Sequence, residues 1–389
     1  MTPLRIVVAP SGFKESLSAE DVAQAIAEGI RRAAPDAEIV QVPLVDGGEG
    51  FAKTLARVTG GEIRTVLVTG PVGEKVESHF GILGKRDDES PRTVVLEMAA
   101  AAGLYLVPRD RRDPLQTTTY GVGELICAAL DAGAEKILIG CGDSGTNDGG
   151  AGAAQALGVR LLKANGAPIG SGGAALAELA HIDLSQRDER LARVQIKVAC
   201  NMRNILCGEQ SVARVFGAQK GASPETVAQM ERALEHYAHI IQRDLNTDVA
   251  FIPGGGASGG LGAGLSALLG ASLRSRYEIV TQYLKIDEVL QHADFVFTAE
   301  GSIDFQTPLD KIPVEVAMRA KRFGIPVFVL AGSIGKGAEV NYQYEIDAMF
   351  SVLTHPCTLE EAIGETRESL TACAENVMRV VISTNRLRS

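Results

Sequence analysis

Short, continuously apolar runs of branched residues recur along the chain. They lie at residues 4–9, 136–140, 194–199, 294–298, 327–332 and 349–353. Runs without polar alternation are typical of parallel strands that helices cover on both faces. Between them, helix-like apolar spacing follows typical cap residues, namely Ser18 with Asp21, Ser223, and Thr358 with Glu361. Strands that alternate with helices in this way predict an α/β fold.

The run from residue 62 to residue 98 has a different pattern. Its segments alternate between apolar and polar positions and are interrupted by a Gly-Pro turn and by a charged stretch. This pattern predicts antiparallel hairpins. We therefore predict two α/β domains. Residues 1–60 and 282–389 form a doubly wound, Rossmann-like parallel-sheet domain, and residues 61–281 form a mixed-sheet domain inserted into it.

Composition narrows the class of protein. The 43 glycines indicate many sharp turns and close backbone approaches. A net charge of −10 and a pI near 5.3 argue against a nucleic-acid-binding protein, which usually carries a basic face. The sequence shows neither a secretion signal nor an apolar stretch long enough to span a membrane, so we expect a cytoplasmic protein. The six cysteines lack zinc-site spacing and are expected to be reduced thiols.

Two glycine-containing loops near the N-terminus are candidate sites. Residues 10–18 place Lys14 just before a helix, whose N-terminal N–H groups and dipole attract anions. Residues 46–50 carry two carboxylates, of which Asp46 is a candidate to hold magnesium or to accept a proton. A solvated loop lysine and an acidic turn without a role are the alternative interpretations.

The most polar loop of the chain, residues 140–150, follows an apolar strand. Its glycines suit a backbone cradle for a phosphate or a carboxylate, with Ser144, Thr146 and Asn147 as candidate binding residues. Asp148 is a carboxylate within reach and a candidate catalytic residue. The preceding residues 117–119 can add hydroxyl donors or simply cap the next helix.

A glycine-rich run at residues 254–264 contains a G-x-G-x-x-G pattern. Gly256, Ser258 and Gly259 are candidate binding residues, because bare backbone allows close approach of a phosphate. The context is poor for a dinucleotide site, since no clear strand ending in an acid follows at the expected spacing. A P-loop motif is also absent from the sequence, so any nucleotide is bound in another way.

The loop at residues 298–307 combines carboxylates with a nearby lysine. Glu300 and Asp304 are predicted to straddle the end of a buried strand, and Lys311 follows one turn later. Two carboxylates and a lysine are the groups that metal-assisted phosphoryl transfer requires. We predict Glu300 and Asp304 as magnesium ligands, Asp304 also as a catalytic residue, and Lys311 as a binding residue.

Together, these loops resemble the motifs of the type I glycerate kinases over nearly the whole chain. The matching segments are residues 13–18, 45–50, 117–126, 146–150, 216–221, 259–262 and 300–307. The resemblance implies a kinase that transfers the γ-phosphate of ATP to glycerate with Mg²⁺. It adds Lys220 as a residue that, like Lys14, binds an anionic group. It also implies that Asp148 or Asp46 orients the attacking hydroxyl.

The chain departs from the family pattern at some of these loops. Asn201 stands where the family usually has an aspartate, and an asparagine cannot accept a proton as a base. We keep Asn201 as a candidate binding residue. Ser302 and Phe305 stand where arginine and glycine are common, which changes the charge and bulk beside the predicted metal loop. These changes are compatible with a different hydroxy-acid substrate.

The expected partners are ATP and a small hydroxy acid, with neither nucleic acid nor membrane. Alternatives stay open: a kinase for another hydroxy acid such as an aldonate, a non-catalytic effector-binding protein on the same scaffold, and a dehydrogenase. A homodimer is also left open.

Overall fold

The computed structural model of the chain describes residues 3–13, 16–84, 90–309 and 311–386. Within them, the strands are β1 (Arg5–Val8), β2 (Glu38–Gln41), β3 (Glu62–Thr69), β4 (Lys75–Ile82), β5 (Thr93–Glu97), β6 (Lys136–Gly140), β7 (Arg160–Leu162), β8 (His181–Asp183), β9 (Gln195–Cys200), β10 (Ser272–Ser275), β11 (Phe295–Ile303), β12 (Val327–Ile334) and β13 (Ala348–Ser351).

The helices are α1 (Ala19–Ala33), α2 (Phe51–Val58), α3 (Ala99–Ala102), α4 (Tyr120–Asp131), α5 (Ala151–Ala156), α6 (Val212–Phe216), α7 (Pro224–Leu245), α8 (Ala257–Leu269), α9 (Arg276–Leu284), α10 (Ile286–Leu290), α11 (Ile312–Ala320), α12 (Leu359–Gly364) and α13 (Thr366–Arg386). Among the residues that the structure describes, no helix is both long and apolar enough to cross a membrane.

The chain divides into two compact units, and the first comprises Met1–Asp46 and Val280–Ser389. Its sheet has the strand order β13-β12-β11-β1-β2, and every pair is parallel. The core joins Ile6 and Val8 of the sheet to Ile26 of α1 and Met378 of α13. Strands that are apolar on both faces therefore form a parallel sheet, as the uninterrupted runs predicted.

The second unit, Gly47–Ile279, contains a six-stranded mixed sheet. Its order is β10-β9-β6-β5-β4-β3, in which β5, β6, β9 and β10 are parallel and β3 and β4 are antiparallel. The predicted hairpin is thus confirmed, and so is the α/β class with one parallel and one mixed sheet. A separate two-stranded ribbon pairs β7 with β8.

The predicted helix starts are confirmed by their cap hydrogen bonds. The hydroxyl of Ser18 accepts from the N–H of Asp21, and Ser223 caps α7 through its side chain. Thr358 and Glu361 form a reciprocal capping box at α12. Each cap satisfies backbone donors that the first helical turn leaves without partners.

The division between the two units differs from the predicted boundaries at residues 60/61 and 281/282. The first change of unit lies between Asp46 and Gly47, because α2 packs against β4 and β5 of the mixed sheet. Phe51 and Leu55 of α2 are fully buried. A pattern of alternation marks the first strand of the mixed sheet, but it cannot show that the preceding helix packs there. The two domains with boundaries at 60/61 and 281/282 stay a prediction.

Close helix packing in the first unit predicts an effect of Gly29→Ala. A Cβ at Gly29 of α1 would lie 2.1 Å from the carbonyl oxygen of Thr371 in α13. Although alanine favours helices, the helices must separate to accept it, so we expect a loss of roughly 1–3 kcal/mol in the free energy of unfolding. Gly364→Ala is the control, because a Cβ there meets no atom of the described part of the chain within 4 Å. Urea unfolding measures both, and equal stability of the two variants would contradict the prediction.

Candidate functional site

Several candidate residues of each unit lie on loops at the carboxyl ends of its parallel strands. In the second unit these loops follow β5, β6 and β9. Because parallel strands end at one edge of a sheet, loops far apart in the sequence meet there. The loop after β6 is tied to the segment after β5 by hydrogen bonds from Leu104 N to Asp143 O (2.9 Å) and from Gly145 N to Ala102 O (2.8 Å).

The glycine-rich run at residues 254–264 docks directly on the loop after β6. Gly149 donates its N–H to the carbonyl of Gly259 at 3.0 Å. A Cβ at Gly259 would lie 2.1 Å from the carbonyl oxygen of Thr146, so only glycine allows this approach. Ser258, Gly259 and Gly260 all have positive φ, which interrupts α8 at its start. The structure thus brings the two predicted binding loops together.

Asp148 is buried beneath these loops, with 1% of its surface exposed. Its carboxylate accepts hydrogen bonds from the N–H and hydroxyl of Thr119 (2.8 and 2.9 Å), from Gly150 N (3.1 Å) and from Gly152 N (3.3 Å). Burial raises the pKa of Asp148, and these donors counteract the rise. Protein donors therefore account for the burial of Asp148, and its catalytic role stays a prediction.

Lys220 is also buried, with 2% of its surface exposed. Its ammonium donates to the hydroxyl of Ser144 (2.9 Å) and to the carbonyl of Thr146 (2.6 Å). Burial lowers the pKa of Lys220 to about 7, and the negative charge of Asp148 opposes this shift. Lys220 therefore contacts two residues of the candidate binding loop, and its role in binding an anionic group stays a prediction.

Two neighbouring residues of this loop have buried polar atoms without a hydrogen-bond partner among the described residues. They are the hydroxyl of Thr146 and both side-chain polar atoms of Asn147. An unpartnered buried polar group costs free energy, so such groups are often completed by a ligand or by water. The arrangement can offer hydroxyl and amide donors to an anionic group.

Glu97, at the end of β5, is a residue that sequence reasoning missed. Its carboxylate is 1% exposed and accepts from Gly50 N (3.1 Å) and Ala52 N (2.7 Å), which holds the 47–52 segment. His79 lies 3.5 Å from Glu97. A carboxylate that closes an otherwise apolar strand is the sequence signal that could have indicated it. Asp46, one of the predicted catalytic residues, is half-buried. It directly precedes the 47–52 segment and is the last residue of the N-terminal stretch of the first unit.

Asn201 and Gly256 also take defined positions in the second unit. The side-chain oxygen of half-buried Asn201 accepts from the N–H of Arg203 (2.8 Å) and closes a turn after β9. Gly256 donates its N–H to the carbonyl of Asn204 (3.0 Å). The G-x-G-x-x-G pattern begins after a loop and not after a strand. This context does not favour a dinucleotide site.

The first unit places its candidate carboxylates around the end of β11. Glu300 is half-buried and accepts from the hydroxyl of Ser11 at 2.9 Å. β11 continues to Ile303, beyond the predicted run at residues 294–298, so Glu300 lies within the strand and the two carboxylates straddle its end as predicted. Asp304 follows the strand, and its carboxylate accepts from Gln306 N at 2.8 Å. The ammonium of Lys311 donates to the carbonyl of Ser302 at 2.6 Å.

The donor set of this loop is compatible with magnesium. In the described part of the chain, no group of three or more His, Cys, Asp or Glu side chains could hold a metal ion. Magnesium, however, is commonly bound by one or two carboxylates together with substrate phosphates and water. Glu300 and Asp304 supply hard oxygen ligands of this kind. Lys14, the predicted anion-binding residue, lies outside the described residues.

The buried ammonium of Lys220 predicts a pH-dependent stability. Between about pH 7, its folded pKa, and 10.5, the ordinary value for lysine, the unfolded chain binds a proton that the folded chain has lost. The free energy of unfolding should therefore rise with pH across this window, by an amount on the order of a few kcal/mol. Lys220→Met should remove this rise in urea unfolding measured from pH 7 to 10. Lys53→Met, an exposed lysine of the same unit, should keep the wild-type slope, and the same slope in Lys220→Met would contradict the assignment.

Comparison of the chain with known proteins identifies its family. The family model described as the glycerate kinase family matches residues 6–382. A glycerate kinase of Halalkalibacterium halodurans is 47% identical over 98% of this chain and 99% of its own length, and a glycerate 2-kinase of Escherichia coli is 47% identical over 96% and 97%. A crystal structure of a candidate glycerate kinase 2 from Salmonella typhimurium LT2 superposes with a TM-score of 0.82 at 47% identity and covers 99% of this chain and 100% of that one. The chain therefore belongs to the glycerate kinase family.

Proposed function

We propose that this protein transfers the γ-phosphate of ATP to a hydroxyl of D-glycerate and so produces a phosphoglycerate. The observation that carries the proposal is the family match, together with 47% identity to named glycerate kinases over nearly the whole chain. The Escherichia coli relative is named a glycerate 2-kinase, which favours the 2-hydroxyl as the acceptor. Family membership also favours a kinase over the dehydrogenase and effector-binding alternatives.

The loops of the second unit suit the demands of phosphoryl transfer. This reaction depends mainly on positioning and on neutralisation of charge. The docked loops of Gly149 and Gly259 present bare backbone, and Thr146 and Asn147 have polar side-chain atoms without a partner among the described residues. We propose that Ser144, Thr146, Asn147, Asn201, Gly256, Ser258 and Gly259 contribute to binding of the anionic substrates.

Glu300 and Asp304 are the proposed magnesium ligands in the first unit. When bound, magnesium would neutralise negative charge on the phosphates. The hydroxyl of Ser11 fixes the Glu300 carboxylate, and the N–H of Gln306 fixes that of Asp304. Lys311 donates to the carbonyl of Ser302 at the end of β11, so we propose that it stabilises this loop in addition to its predicted role as a binding residue.

The remaining charged residues divide into two proposed roles. Asp148 and Lys220 are buried and hydrogen-bonded to loop residues, so we propose that they position the loop after β6. Asp46 is then the better candidate to orient or deprotonate the acceptor hydroxyl, because the Asp148 carboxylate is engaged by protein donors. Lys14 keeps its predicted role in binding an anionic group.

An assay of ADP release with a panel of hydroxy acids tests the proposed function. The panel contains D-glycerate, L-glycerate, glycolate, tartronate and an aldonate, and ³¹P NMR of the product distinguishes 2-phosphoglycerate from 3-phosphoglycerate. We expect the highest kcat/KM with D-glycerate. A higher value with the aldonate would instead establish the alternative kinase, and no release above the background hydrolysis of ATP would refute a kinase for any acid in the panel. Light scattering on the same preparation tests whether the chain forms a homodimer. The cytoplasmic location stays a prediction.

Removal of one proposed magnesium ligand should reduce turnover strongly. Asp304→Asn takes away a negative charge that balances the metal, so we expect kcat to fall by about 10²-fold, with partial recovery at high Mg²⁺ concentration. Asp347→Asn is a matched control, since Asp347 also accepts one backbone N–H, that of Val327, but at the amino end of β12. Steady-state kinetics over a range of Mg²⁺ concentrations measures both. Full turnover in Asp304→Asn would remove Asp304 from the site.

A further inference from the structure

Asn341 is a buried polar residue of the first unit to which the proposed function gives no role. It lies on the short 3₁₀ segment Ala338–Tyr344 that follows β12, and none of its surface is exposed. An amide is rarely retained in such a position unless its hydrogen bonds hold something in place. We therefore asked which backbone groups the Asn341 side chain binds.

The side chain of Asn341 holds the backbone of Asp304. Its Nδ2 donates to the carbonyl of Asp304 at 3.0 Å and to the carbonyl of Ala338 at 2.8 Å. Two carbonyl oxygens facing one atom identify that atom as the nitrogen, because an oxygen there would accept from neither. The Oδ1 atom is buried without a partner among the described residues. The contacts of the amide to the protein are thus made by its donor group, Nδ2.

Other hydrogen bonds join the same two segments. Gly335 donates its N–H to the carbonyl of Ile303 at 2.7 Å, and Phe305 donates to the carbonyl of Lys336 at 3.3 Å. Within the turn, the N–H of Asp304 donates to the hydroxyl of Thr307 at 3.0 Å, and Thr307 is fully buried. The backbone of Asp304 is therefore held through both its N–H and its carbonyl, which restricts the direction of its carboxylate.

We propose that Asn341 is a positioning residue that orients the Asp304 carboxylate toward the divalent metal. This inference rests on the proposed function, in which Asp304 binds magnesium. Asn341 acts through the carbonyl of Asp304, and an apolar side chain of the same size would fill the space without holding that carbonyl.

A metal titration that needs no turnover tests this role. Mn²⁺ is added to the protein in the presence of ADP, and the loss of the EPR signal of free Mn²⁺ measures binding. Asn341→Leu should weaken Mn²⁺ binding by about 10- to 100-fold, as is usual when a residue that orients a metal ligand is lost. Unchanged Mn²⁺ affinity in Asn341→Leu, or no Mn²⁺ binding by the wild-type protein, would overturn the proposal. Both readings are independent of the glycerate assay, so a failure of the proposed substrate is recognised separately.

A double-mutant cycle separates positioning from general stability. If Asn341 acts through Asp304, Asn341→Leu should weaken Mn²⁺ binding little further in the Asp304→Asn background, whereas independent effects would add. Thr371→Val is the control, because Thr371 is also buried and its hydroxyl ties a distant carbonyl, that of Ala25, at 3.2 Å. It should lower the melting temperature and leave Mn²⁺ affinity unchanged. Should Asn341→Leu not fold, Asn341→Ser replaces it in the same cycle, and additive effects in that cycle would reject the role.

Discussion

The candidate site of the second unit depends on one buried carboxylate, that of Asp148. Burial removes its hydration, so it is tolerated only where hydrogen-bond donors replace the water. Thr119, Gly150 and Gly152 supply these donors from the starts of α4 and α5. The carboxylate thereby fixes two helix starts relative to each other. Gly149, the residue after Asp148, can then donate its N–H to the carbonyl of Gly259.

The buried ammonium of Lys220 complements this carboxylate. Each charge by itself would be expensive to bury, and their mutual attraction reduces the cost without removing it. The lowered pKa of Lys220 shows that desolvation outweighs the attraction. Its buried hydrogen bonds to Ser144 and Thr146 hold the loop after β6. The loop is therefore ordered by charges that it does not present to solvent.

The same principle recurs at the other candidate loops. Glu97 holds the segment that contains Gly50, and Asn341 holds the turn that contains Asp304. Loops lack the internal hydrogen bonds of helices and strands, so buried side chains must satisfy their backbone groups. In this protein, buried carboxylates accept hydrogen bonds from backbone N–H groups, while a buried amide and a buried ammonium donate hydrogen bonds to backbone carbonyls. The candidate binding and metal residues thus lie on loops whose backbone is held by buried polar side chains.

The sequence by itself determined the α/β class, most of the buried strands, the helix caps and the family. These features depend on local periodicity, on cap residues within one helical turn, and on motifs that survive as short strings. The tertiary structure alone decided that Asp148 and Lys220 are buried. It also decided that Glu300 lies within β11 and that α2 belongs to the second unit. Only the structure shows that Glu97 holds the 47–52 segment and that Asn341 holds the turn of Asp304. Asp148 meets Thr119 across 29 positions of the chain, Asn341 meets Asp304 across 37, and Lys220 meets Thr146 across 74. Burial and hydrogen bonding between such distant residues depend on how the sheets and helices pack, and no local pattern in the sequence records that packing.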